Sequence, residues 1–165
     1  MPLIRRVAAL TCTVMLVAGC AAPTGGGALH ASQDPFASLS PAEALTPQAQ
    51  GTRVRWSGGI RSIDRRAGNR ACFTLLHGTF DSEGYLRWPP GGQTFIACGP
   101  GDYDDKLIEP FVLLSVEGRV AGQRTVERQP VPVIEIELLH RHSDCVQGSE
   151  DSPECYAGPL RPRMP

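Results

Sequence analysis

The chain is nearly without lysine: Lys106 stands alone among 16 basic residues, and the other 15 are arginine. That bias relates to genome composition and to no mechanism. Excess charge of either sign is also missing, with 16 basic against 17 acidic residues. A nucleic-acid partner normally requires a basic patch and a high isoelectric point, so the composition supports none. Beyond the first 20 residues there is no long apolar run. Stretches such as Phe111 to Leu114 are strand-sized, far short of the about 20 residues a membrane-crossing helix needs. No internal repeat and no long amphipathic helix is found.

Catalytic signatures are absent too. Ser57 and Ser115 lie in strand-like stretches rather than in a G-x-S-x-G elbow. Glu135 and Glu137 alternate with apolar residues on what reads as an exposed strand face, whereas paired glycosidase carboxylates flank a cleft. Asp102, Asp104, Asp105 and Glu109 are close enough in sequence to suggest calcium, but Leu113 occupies the twelfth position from Asp102, where an EF-hand loop needs glutamate. A solvated acidic loop is expected there, and no enzyme is expected overall.

What the chain does have begins at its start. Arg5 and Arg6 precede largely apolar residues from Val7 to Val17, followed by Ala18, Gly19 and Cys20. A charged start, a short apolar run and small residues before a cysteine make a secretory signal peptide ending in a lipobox, Leu16-Val17-Ala18-Gly19-Cys20. The apolar run is too short to span a bilayer. Small residues let a peptidase thread the backbone, and the Cys20 thiolate is the nucleophile that takes up a diacylglyceryl group. Ala21 and Ala22 follow, with no aspartate to mark inner-membrane retention, so the expected address is the outer membrane, facing the periplasm. Residues 1–19 are then a signal peptide. The remaining 14 basic and 17 acidic residues leave a formal charge of −3 on a mature chain long enough for one domain with a core.

Residues 20–50 are rich in Ala, Pro, Gly, Ser, Thr and Gln, with four prolines and Gly25-Gly26-Gly27. They read as a disordered tether. Within them, Ser40-Pro41-Ala42-Glu43 can start one helical turn, with Ser40 as cap. From Thr52 the pattern turns to period two. Val54, Trp56 and Ile60 share one face, Arg53, Arg55 and Arg61 the other, with a bulge expected at Gly58-Gly59. Asp64 to Asn69 reads as a turn and Arg70 to Thr79 as a second strand. Thr94 to Cys98 is a third, and Phe111 to Val120 a fourth, closed by the glycines around 118–122. Val131 to His140 is the fifth, with Ile134, Ile136 and Leu138 on one face. Pro130 and Pro132 put its start at an edge. Five hairpin-connected strands predict an all-β domain over residues 51–141: a small antiparallel barrel or curled sheet of five to six strands, OB-like. Residues 142–165 form a polar tail.

In an exported chain, cysteines pair. Cys12 leaves with the signal and Cys20 is lipidated, which leaves Cys72, Cys98, Cys145 and Cys155 for two bridges in one of three connectivities. If the second and third strands pair with Leu76 opposite Thr94, Cys72 faces Cys98 on the same side, the geometry a cross-strand bridge needs. Local pairing is therefore expected. The two bridges contribute about 3–4 and just under about 3 kcal/mol by loop-closure entropy.

These residues resemble a known family. Val54-Arg55-Trp56-Ser57-Gly58-Gly59-Ile60 is similar to the VRWGG-type opening of the Slp family of starvation-inducible outer-membrane lipoproteins. Phe80-Asp81-Ser82-Glu83-Gly84, Phe95-Ile96-Ala97, Val116 through Gly122 and Pro132 through Glu137 continue the similarity in order. The resemblance implies a lipid-anchored envelope protein, made in some members under starvation or envelope stress, with no established enzymatic activity; no cofactor is expected. Three features depart from it. Gln129-Pro130-Val131-Pro132 replaces a tyrosine-rich segment, the four paired cysteines are extra, and the tail beyond Asp144 has no counterpart.

Two surfaces are candidates for contact. Tyr85 and Trp88 flank Arg87 on a polar excursion and can stack on a glycan or on a partner's side chain, while Trp56 is expected in the core. His140 and His142 share a strand face near Asp144, Cys145 and Cys155. A periplasmic metal module built on these two histidines is the alternative reading.

Overall fold

The computed structural model describes residues 36–66, 70–143, 145 and 155–163. The expected signal peptide, Cys20, the first part of the expected tether, residues 67–69 of the expected turn and Asp144 lie outside these residues. The described residues form seven strands: β1 (Arg53–Arg66), β2 (Arg70–Phe80), β3 (Leu86–Arg87), β4 (Thr94–Pro100), β5 (Leu113–Val126), β6 (Gln129–Arg141) and β7 (Gly158–Leu160). Their order is β1-β5-β6-β4-β2, and pairing of β1 with β2 closes the ring into a five-stranded barrel. Among the described strands, β4 and β6 are the one parallel pair. This is the OB-like all-β architecture expected from the strand pattern.

Alternation fills the barrel. Val54, Trp56 and Ile60 from β1, Phe73 and Leu75 from β2, Phe95 and Ala97 from β4, Leu114 and Val116 from β5, and Ile134 and Leu139 from β6 form one core. Trp56 packs edge-on to Phe95, with centroids 5.3 Å apart, and donates its indole N–H to the Leu39 carbonyl at 2.6 Å.

Both ends are plugged. At one, residues 36–50 are not tether but lid: Pro41 is buried, as are Ala44 and Ala49 on the 3-10 turns Glu43–Leu45 and Pro47–Ala49. Ser40 and Glu43 form a capping box, the Ser40 backbone N–H donating to the Glu43 carboxylate at 2.7 Å. At the other end, Tyr103, Ile108 and Val112 close over the core. The tail contributes β7, which pairs with β6 beyond the point where β4 leaves it. The buried Arg141 joins the two, donating to the carbonyl of Leu107 at 3.0 Å and to that of Tyr156.

The glycines depart from the expected pattern. In β1 the bulge lies after Ile60, with Arg61 as the extra residue. Gly58 is needed instead because a Cβ there would collide with the Leu76 carbonyl. Nor do the glycines at 118–122 end the fourth strand. β5 runs on to Val126, and the turn is Glu127–Arg128, both at positive φ. Gly118 is glycine because the Glu135 carbonyl crosses it closely, and Gly122 follows a second bulge. A third bulge, at Glu137 in β6, reverses the alternation. Leu139 and Arg141 consequently turn inward, whereas Leu138, expected to face the same way as Ile134, turns out and is exposed.

Candidate functional site

Both disulfides are formed locally, Cys72 with Cys98 and Cys145 with Cys155. The register puts Leu76 opposite Thr94 and Cys72 opposite Cys98. Their sulfurs lie on the outer side of β2 and β4, the face through which OB barrels commonly take up oligonucleotides or oligosaccharides. That face is covered. The long β5–β6 hairpin folds across it, packing Val126, Val131 and Val133 on Cys72, Ile96 and Cys98, with Arg124 3.6 Å from the Cys72 sulfur. A groove of 410 Å³ beside the hairpin is lined by small, apolar and uncharged polar residues, among them Pro41, Pro130 and Pro132; Glu127 is its one charged residue.

The chemically richer face is the opposite one, on β1, β5 and β6. Because the Glu137 bulge turns His140 and His142 outward, they stand side by side with ring centroids 5.0 Å apart. Ser57, Ser115 and His140 align across the three strands. Ser115 Oγ lies 2.7 Å from both Ser57 Oγ and His142 Nε2, and the Phe80 ring packs at a tilt against His142, centroids 4.4 Å apart. Ser115, His140 and His142, with Arg55, Glu117 and Leu138, border a cleft of 240 Å³. One row further along, Arg53 and Arg55 pair with Glu117, and Arg53 and Arg119 with Glu137. Phe36 lies under both Arg53 and Arg55, 4.6 and 4.3 Å from their guanidinium carbons.

Tyr85, Arg87 and Trp88 are carried across this face by an arm that returns from β2 through β3. The arm is anchored by two glycines. Leu86 fills the space over Gly78, and Trp88 lies over Gly59 beside Leu113. Asp81 sets the turn by accepting the backbone N–H groups of Glu83 and Tyr85. Those bonds, that from Tyr85 foremost, together with Arg87 hold its carboxyl below the usual range. Arg87 pairs with Asp81 at 2.6 Å and stands over the Tyr85 ring at 5.7 Å. Tyr85 and Trp88 remain exposed.

The two histidines acquire no third ligand: among the described residues no group of three or more His, Cys, Asp or Glu is placed to hold a metal. The acidic loop is used for stitching. Asp102 and Asp105 pair with Arg65, and Asp104 with Arg163. Glu135 pairs with Arg70 at 2.6 Å. Two features escaped the sequence reading. One is Arg141, whose inward turn depends on the bulge. The other is the Ser57–Ser115–His142 chain, whose members are far apart in sequence.

Neither protein-family models nor curated proteins show a match to this sequence.

Proposed function

We propose that this protein is an outer-membrane lipoprotein of the Slp type, held by acyl chains on Cys20 and presenting its barrel to the periplasm. Its role is non-enzymatic: binding an envelope protein or glycan, or maintaining the envelope under starvation or stress. The observation that carries this reading is the lipobox ending in Cys20, with Ala21 after it in place of a retention aspartate. Two disulfides in the folded domain support it, because such bridges persist in oxidising compartments. A single myristoyl chain binds a membrane only marginally, at about 10⁴ M⁻¹, and each further buried CH₂ adds about 0.8 kcal/mol. Three chains on one cysteine therefore make attachment effectively permanent.

The test is Cys20→Ala in cells fed labelled palmitate. The wild-type chain should take up label and sediment with outer membrane, and the variant should remain unlabelled and unprocessed at this site. A variant that still matures as a lipoprotein refutes the reading.

A further inference from the structure

Among the described residues, four of the five large apolar side chains that stand exposed lie on one side of the barrel. Trp88 is 46% exposed, Tyr85 62%, Phe111 87% and Leu138 41%. Trp88 lies over Gly59 and beside Leu113. Phe111 donates its N–H to the carbonyl of Ile60, the next residue along β1, and holds a positive φ of 76°, a conformation that a bulky residue adopts only at a cost. Tyr85 adjoins Leu86 on the same arm, and Leu138 pairs with Glu117, which pairs with Arg55 of β1. Large apolar side chains left exposed on one face, interleaved with polar ones, mark a contact site.

The chain's root is on that side as well. Phe36 packs on Arg53 and Arg55, four residues along β1 from the glycine under Trp88. Cys20 precedes Phe36 by 16 positions, so the acylated residue lies within about 55 Å of this face at full extension. The charges around it are nearly balanced. Arg53, Arg55, Arg119 and Arg87 are each paired with Glu117, Glu137 or Asp81. Trp and Tyr are the side chains that settle at the headgroup level of a bilayer, and arginine reaches from there to the phosphates.

We infer that the outer face of β1, β5 and β6, with the Tyr85–Trp88 arm across it, docks on the surface of the phospholipid bilayer. This rests on the lipoprotein reading, because four exposed side chains hold a bilayer only when an anchor keeps them beside it. The anchor is the first membrane signal and this face the second.

The test supplies the anchor chemically. In the chain that starts at Cys20, the other four cysteines are bridged, so Cys20 alone couples to a maleimide-bearing phospholipid in phosphatidylcholine vesicles. Docking is then measured whether or not a cell acylates Cys20, and the two readings fail separately. Trp56 is sealed in the core, and subtraction of a Trp88→Phe variant isolates the Trp88 emission. With brominated acyl chains, Trp88 should lose at least half of its emission relative to plain vesicles. A Phe111→Ser, Leu138→Ser double variant, with circular dichroism unchanged, should recover it. Equal Trp88 emission in brominated and plain vesicles overturns the proposal, as does quenching that persists in the double variant.

Discussion

Gly59 lies directly beneath Trp88: a Cβ built on the glycine would stand 3.0 Å from the indole Cη2. The missing side chain of one residue is thus the seat of the other, and through it the exposed arm is fixed to the barrel. Gly59→Val should lift Trp88 off β1, raising its acrylamide quenching while the far-ultraviolet spectrum stays that of the folded barrel. Overpacking of this kind costs about 1–3 kcal/mol. Unchanged quenching would show that the arm is held elsewhere.

Gly118 makes the contrasting case, because there the obstacle is the Glu135 backbone and not a side chain that can move aside. Gly118→Ala should therefore cost near the upper end of the same range, about 3 kcal/mol, read as a lowered urea midpoint. A stability equal to the wild type would contradict the close crossing of β5 and β6.

Arg141 is 2% exposed and donates to the backbone carbonyls of Leu107 and Tyr156. Arg141→Met keeps most of the volume but leaves the Leu107 and Tyr156 carbonyls unpaired, at about 1–3 kcal/mol for each group so stranded. The tail should loosen first. Limited proteolysis of the variant is expected to cut around residues 155–163 before the barrel, and simultaneous cleavage throughout would argue against Arg141 as the clasp.

The Cys72–Cys98 bridge closes a long loop, and its removal in a Cys72→Ala, Cys98→Ala variant should lower stability by about 3–4 kcal/mol in urea. It should also free the β5–β6 hairpin that packs on the two sulfurs, seen as faster amide exchange at Arg124 to Val133. Exchange rates that match the wild type would mean the hairpin stands on its own.

His77 supplies a pH dependence. Its ring lies 6.2 Å from both Trp56 and Phe95, its Nδ1 is buried without a partner, and burial holds its pKa below 6.5. The unfolded chain then binds the proton more readily. Its contribution to stability is complete above pH 6.5 and is lost as pH falls through the folded value. Urea midpoints should drop as the pH falls below 6.5, and His77→Phe should flatten that part of the curve. An unaltered slope in the variant would assign the titration to another group.

The period-two pattern made the barrel strands legible, and the Leu76–Thr94 register made the first bridge legible, because both are local consequences of the pleat. Bulges are what the pattern concealed. One extra residue at Glu137 exchanges the fates of Leu138 and Leu139, and nothing in the residue types announces it. The glycines at 118 and 122 looked like stops, since a glycine needed for a backbone crossing and one needed for a turn are the same letter. The lid at 36–50 was hidden by its composition: Pro41, Ala44 and Ala49 bury too little surface each to show an apolar period. β7 is three residues long and is recognisable only from its pairing with β6. The candidate face was half visible, in Tyr85, Arg87, Trp88, His140 and His142. The assembly of these residues with Ser57, Ser115 and Phe80 is a property of the closed barrel.

The central claim concerns Cys20, and the intact mass of the protein extracted from membranes tests it most directly. The predicted species begins at Cys20 and carries a thioether-linked diacylglyceryl group with a third acyl chain on its amino group. A chain that begins elsewhere, or one whose Cys20 is unmodified, contradicts the assignment.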